Sequence, residues 1–178
     1  GREIVLASGP AGADLTDALE HEGILYTAGY SSETIDRFDV ASSVWLTPIN
    51  IGDAVTSLGI AADTIIAGTV TDGLFLIENG SIRTNIPAGQ DQNSNSQYIV
   101  DIAAVGDCTT TQGCQILFIQ ENAAYRADVD STAVGSATLL TSDYLLTGQV
   151  ATYGGVGYWS SDEGLLRYDI ANDTFLAA

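Results

Sequence analysis

Lysine and methionine are absent from this 178-residue chain, and histidine occurs once, at His21. Its five basic residues are all arginine and face 23 aspartates and glutamates, for a formal net charge of −18. That balance argues against nucleic acid and anionic membrane surfaces as partners, since counterion release needs clusters of Lys and Arg. It suits solubility, divalent cations or a high-salt environment. Long hydrophobic runs are also missing, so no membrane-spanning helix is expected. Gly1-Arg2-Glu3 leads into only the short apolar run Ile4–Ala7, so no signal peptide is expected at the start, and a chain without Met is expected to be mature or excised. A single histidine leaves no base to place beside a nucleophile, and with so many acids, carboxylate pairs such as Asp128 and Asp130 arise freely. An enzyme is not expected.

What is present is repetition. Val156–Phe175 reads as a hairpin plus a third strand: Gly157–Ser160 carries two aromatics, Ser161-Asp162-Glu163-Gly164 is turn chemistry, and Leu165–Ile170 alternates with period two. Weaker copies stand upstream. Arg37-Phe38-Asp39, Leu76-Ile77-Glu78, Arg126-Ala127-Asp128 and Arg167-Tyr168-Asp169 occupy one third-strand position, at intervals of roughly the 40 residues that a four-stranded unit requires except for the middle one, which two inserted loops lengthen. Asn79-Gly80 between two apolar runs is a strong hairpin signal. The expected fold is therefore all-β: a propeller of about four four-stranded antiparallel blades, or a segment of a larger propeller.

The expected organisation is a lone outer strand and loop at 1–13, blade 1 at 14–52, blade 2 at 53–89, blade 3 with insertions at 90–142 and blade 4 at 143–178. Leu15–Glu20 is ambiguous between a strand and a helical turn capped by Asp14 or Thr16.

Cys108 and Cys114 flank a polar loop and read as a small disulfide-closed ring, which implies an oxidising compartment, extracellular or periplasmic. Asp91, Asn93 and Asn95, followed by Asp101, have the alternate-oxygen spacing of a calcium loop, against which stand Ser96 at the glycine position and Ile102 at position twelve. No other cofactor is expected. The Arg-x-Asp pairs Arg37/Asp39, Arg126/Asp128 and Arg167/Asp169 put opposite charges on one strand face, and are expected to make ion pairs and hydrogen bonds that fix blade spacing. Asn79 and Asn172 head glycosylation sequons on expected turns. Trp45 and Trp159 are expected in core or inter-blade packing.

Thr69–Phe75 and Ser160–Asp169 resemble the T-x-D-G-L-x-R-Y-D core of propeller repeats in bacterial sensor ectodomains, and Ile35–Trp45 is similar to the Y-D-x-x-x-x-x-W segment of kelch-like repeats. The resemblance runs from about Asp14 to Ala178 and implies architecture more than activity. The expected function is a non-catalytic extracellular structural, assembly or protein-interaction module, with other chains or copies of itself as partners. The alternatives are a ligand-binding sensor propeller and the non-catalytic part of a larger propeller enzyme.

Overall fold

The computed structural model describes residues 14–86, 98–106, 114–129 and 135–176. They form sixteen strands in four antiparallel sheets, each of four strands in simple meander order. Blade 1 is β1 (Leu15–His21), β2 (Ile24–Gly29), β3 (Thr34–Asp39) and β4 (Val44–Asn50). Blade 2 is β5 (Val55–Ala61), β6 (Thr64–Thr69), β7 (Leu74–Glu78) and β8 (Ser81–Ile86). Blade 3 is β9 (Ile99–Val105), β10 (Cys114–Gln120), β11 (Ala123–Val129) and β12 (Thr138–Thr141), and blade 4 is β13 (Leu146–Tyr153), β14 (Val156–Ser161), β15 (Gly164–Asp169) and β16 (Thr174–Leu176). The ambiguous first segment is strand β1.

Turn chemistry sets the strand ends. Glu22-Gly23, Ala62-Asp63 and Asn79-Gly80 each join two strands with both residues at positive φ, the backbone of a two-residue hairpin. Pro48 lies in β4, an edge strand, where a missing N–H leaves no ladder bond unmade.

The first strand of each blade lines the middle of the arc, β1 beside β5, β5 beside β9 and β9 beside β13. All four have a break in register at the same place, between Leu15 and Asp17, Val55 and Ser57, Ile99 and Asp101, and Leu146 and Val150. A bulge re-aims the side chain that follows it. Asp17 thus accepts a hydrogen bond from the Leu58 amide at 2.7 Å, and Asp101 one from the Val150 amide at 2.8 Å, each in the next blade. Thr16 and Thr56, inside the bulges, donate to the carbonyls of Val55 and Ile99. The blades are tied edge to edge by side chains, with no backbone ladder between them among the described residues.

Asp101→Ala leaves the amides of Val150 and Ile102, both on buried residues, without acceptors. The expected cost is about 2–4 kcal/mol for two orphaned donors, read from urea unfolding. Burial raises the Asp101 carboxyl above its ordinary 3.8, the two amides offset this only in part, and the Asp17 carboxylate adds to the rise. The native state therefore holds that proton more tightly than the unfolded chain. Between pH 3.8 and the raised native value, Asp101 makes stability fall as pH rises. The difference between the parent chain and Asp101→Ala should shrink across that window, and a difference that widened would contradict the assignment.

Candidate interaction faces and the turn cleft

Blades meet through one kind of contact. In each, a leading face packs on the trailing face of the blade that follows. Tyr26, Ala28, Ile35 and Ile49 of blade 1 cluster with Ile65, Ala67, Phe75 and Ile77 of blade 2. Ile66, Leu74 and Leu76 of blade 2 meet Ile116, Phe118 and Tyr125 of blade 3, and Leu117, Ile119 and Ala124 of blade 3 meet Trp159 and Tyr168 of blade 4. Strand alternation explains how one sheet serves both neighbours: odd and even residues point to opposite faces.

Two faces have no such neighbour among the described residues, so the four sheets form an open arc. The leading face of blade 4 carries Tyr158, Leu165, Arg167 and Leu176, and the trailing face of blade 1 carries Leu25, Thr27, Phe38 and Trp45. Register identifies the equivalents. Ile35, Leu74, Ala124 and Leu165 each stand opposite the same second-strand position. The first three are 0%, 1% and 0% exposed inside blade junctions, whereas Leu165 is 61% exposed. Leu25 is half-buried where its equivalents Ile65 and Ile116 are buried. The ends of the arc thus repeat the apolar positions of the interior faces, where a terminal capping repeat would carry a polar outer face.

The repeated arginines point in the leading direction. Arg126 reaches blade 4, where Nη1 donates to the Tyr168 hydroxyl and Nη2 pairs with Asp173, both at 3.1 Å. Arg37 donates twice to the Thr47 carbonyl, at 3.0 and 2.7 Å, and lies against Gly80 of blade 2, where a Cβ would meet its Nη1 at 1.9 Å. The sequence pairing needs amendment on the acidic side. Asp39 accepts from the Ala41 and Ser42 amides, and Asp169 from both the backbone and side-chain nitrogens of Asn172, so both cap the turn that follows their strand. The Ser42 bonds hold Asp39 below the usual carboxylate range, and the Asn172 bonds do the same for Asp169. Asp128 accepts from Gln115. Tyr168, buried and donating to Asp173, has its phenol pushed up to about 12.

Of the calcium set, Asp91, Asn93 and Asn95 lie outside the described residues, and Asp101 commits one oxygen to each of two backbone amides. That makes Asp101 a tie between blades 3 and 4. Cys108 lies outside the described residues, while Cys114 opens β10 and is buried. The strand expected at Glu3–Ala7 is likewise outside them. Asn79 is exposed at positive φ in its turn, and Asn172 is exposed and held by Asp169.

Sequence reading treated His21 as isolated, and the structure gives it company. The β1–β2 and β5–β6 turns are equivalent turns of neighbouring blades, and they bring His21, Glu22 and Asp63 together with donor atoms within 4.8 Å of one another. His21 Nε2 is 3.7 Å from an Asp63 oxygen, at a cleft of about 200 Å³ that Glu78 and Asn79 also line. One imidazole and two carboxylates are donors that a divalent transition metal accepts. Both carboxylates are exposed to solvent.

No protein-family model matches the chain, and no curated protein matches it. Solved structures do. The computationally designed Ika4 protein is similar with a TM-score of 0.65 at 15% identity, over 96% of this chain and 99% of that one. The RRP9 WD40 repeats give a TM-score of 0.69 at 11% identity, over 95% of this chain and 52% of that one. The extracellular domain of the putative one component system BT4673 from B. thetaiotaomicron gives 0.65 at 14% identity, over 90% of this chain and 22% of that one. The chain spans about half or less of the last two. At these identities the likeness is one of fold, and that fold is the β-propeller.

Proposed function

We propose that this propeller arc is a non-catalytic protein-interaction module that docks other polypeptide on its two end faces, in an extracellular or periplasmic setting. The observation that carries the reading is Leu165: a position buried in the first three blades is 61% exposed in blade 4. An apolar sheet face of this kind marks an interaction site. The net charge of −18 supports a protein partner over nucleic acid. A Cys108–Cys114 bridge would belong to the same oxidising setting, and calcium at Asp91, Asn93 and Asn95 would be a separate loop feature.

The test uses Nile red, an uncharged apolar dye, at concentrations where light scattering gives the mass of one chain. The single chain should brighten the dye several-fold, and Leu165→Arg should remove most of that signal with the melting curve unchanged. A single chain that neither binds dye nor associates through Leu165 overturns the proposal.

A further inference from the structure

Resting on that reading, the geometry points to the occupant of the end faces: we infer that it is a second copy of this chain, joined head to tail, with the leading face of blade 4 on the partner's blade 1. Every junction inside the chain is leading-on-trailing. An open leading face is therefore complemented by a trailing face, and among the described residues the trailing face without a blade against it is that of blade 1. Two copies in this arrangement satisfy each other twice, through one kind of heterologous contact that closes on itself.

Local geometry agrees at the point of contact. In the junction between blades 3 and 4, Arg126 grips Tyr168 and Asp173, and Asp173 sits at φ 53° in the turn before β16. On the incoming blade 1 the equivalents are Phe38 and Ser43, and Ser43 has the same conformation, φ 58°. Arg167 holds the register position of Arg126, on the leading face of blade 4. It would thus arrive at the Ser43 turn and the Phe38–Trp45 ring pair, of which Phe38 is already buried and Trp45 half-buried, a cation beside aromatic rings in place of a charge pair. The trailing face also offers Asp36, which pairs in register with Thr27 on that face and whose carboxyl burial raises. A guanidinium arriving there meets acid as well as ring, whereas two leading faces brought together would set Arg167 against its own copy.

Each copy is strongly acidic, so association is expected to strengthen with salt as repulsion is screened. Light scattering at 0.15 M salt and above should give twice the 18.5 kDa chain mass. Leu165→Arg damages the leading face and Thr27→Glu the trailing face, and each alone should yield single chains with intact circular dichroism. The decisive arm is their mixture. One undamaged leading face and one undamaged trailing face remain, so the mixed sample should recover a two-chain species that neither variant forms alone. A face-to-face pairing of two leading faces would leave Thr27→Glu dimeric and the mixture no heavier, which overturns the head-to-tail assignment. Single chains at every concentration up to millimolar overturn the second copy, while dye binding through Leu165 in that same sample would keep the interaction reading standing.

Discussion

Trp159→Ala should remove about 3–5 kcal/mol of stability, the range for emptying a large aromatic site in a packed core. Trp159 is fully buried at the junction of blades 3 and 4, with its ring 6.0 Å from both Tyr168 and Phe175. Tyr168 and Phe175 are themselves 5.2 Å apart, so three rings form one wedge. The wedge is fitted against Leu117 because Gly157 has no side chain; a Cβ there would lie 2.4 Å from Leu117 Cδ1 and 2.9 Å from Trp159 Cη2. The indole nitrogen is buried without a hydrogen-bond partner, so what the alanine variant loses is packing and burial alone. Trp159→Phe keeps part of the volume, sheds the orphaned N–H and should recover most of the loss. Urea unfolding of the three proteins checks the order. A loss under about 1 kcal/mol for alanine would mean the fourth blade is not packed as a core element.

That wedge also shows how far local sequence reaches. Arg167-Tyr168-Asp169 and the turns around it are contiguous, and every strand pairs with its sequence neighbour, with partners within roughly twenty residues of each other, so strand and turn chemistry announced four sheets. Asp53 anchoring the Thr71-Asp72-Gly73 turn through the Thr71 and Asp72 amides is the same kind of short-range event. The junctions are different. Arg126 meets Asp173 across 47 positions, and Asp101 meets Val150 across 49. No periodicity predicts that Asp39 and Asp169 turn back to cap a loop while Arg37 and Arg126 reach the next blade. The bulges that aim Asp17 and Asp101 were invisible too, because each follows the first residue of its strand and leaves no run before it in which a change of alternation could show. The cleft at His21 was missed for a related reason: once the blades are in register, equivalent turns fall side by side, and the sequence contained both turns without their rotation about the arc.

Gly68 offers the sharpest test of how closely those junctions are fitted. It lies in β6, and a Cβ placed on it would be 2.5 Å from Ile99 Cγ2, 2.8 Å from Ile99 Cβ and 2.6 Å from Ser57 Oγ. Ile99 is fully buried at the start of β9, in the next blade, so its branched side chain has nowhere to move. Even Gly68→Ala must therefore push blades 2 and 3 apart, with an expected loss of about 1–3 kcal/mol from overpacking. Gly59→Ala meets Ile102 Cγ2 at 3.0 Å, a contact that a small shift relieves, and should cost less. If the loss at Gly68 comes from the clash with Ile99, then Ile99→Ala should rescue it. Ile99→Ala alone opens a cavity, and Gly68→Ala with Ile99→Ala should be more stable than the two separate losses add up to. Additive losses would mean that glycine is needed in β6 for its backbone, and that blades 2 and 3 are spaced by something other than this contact.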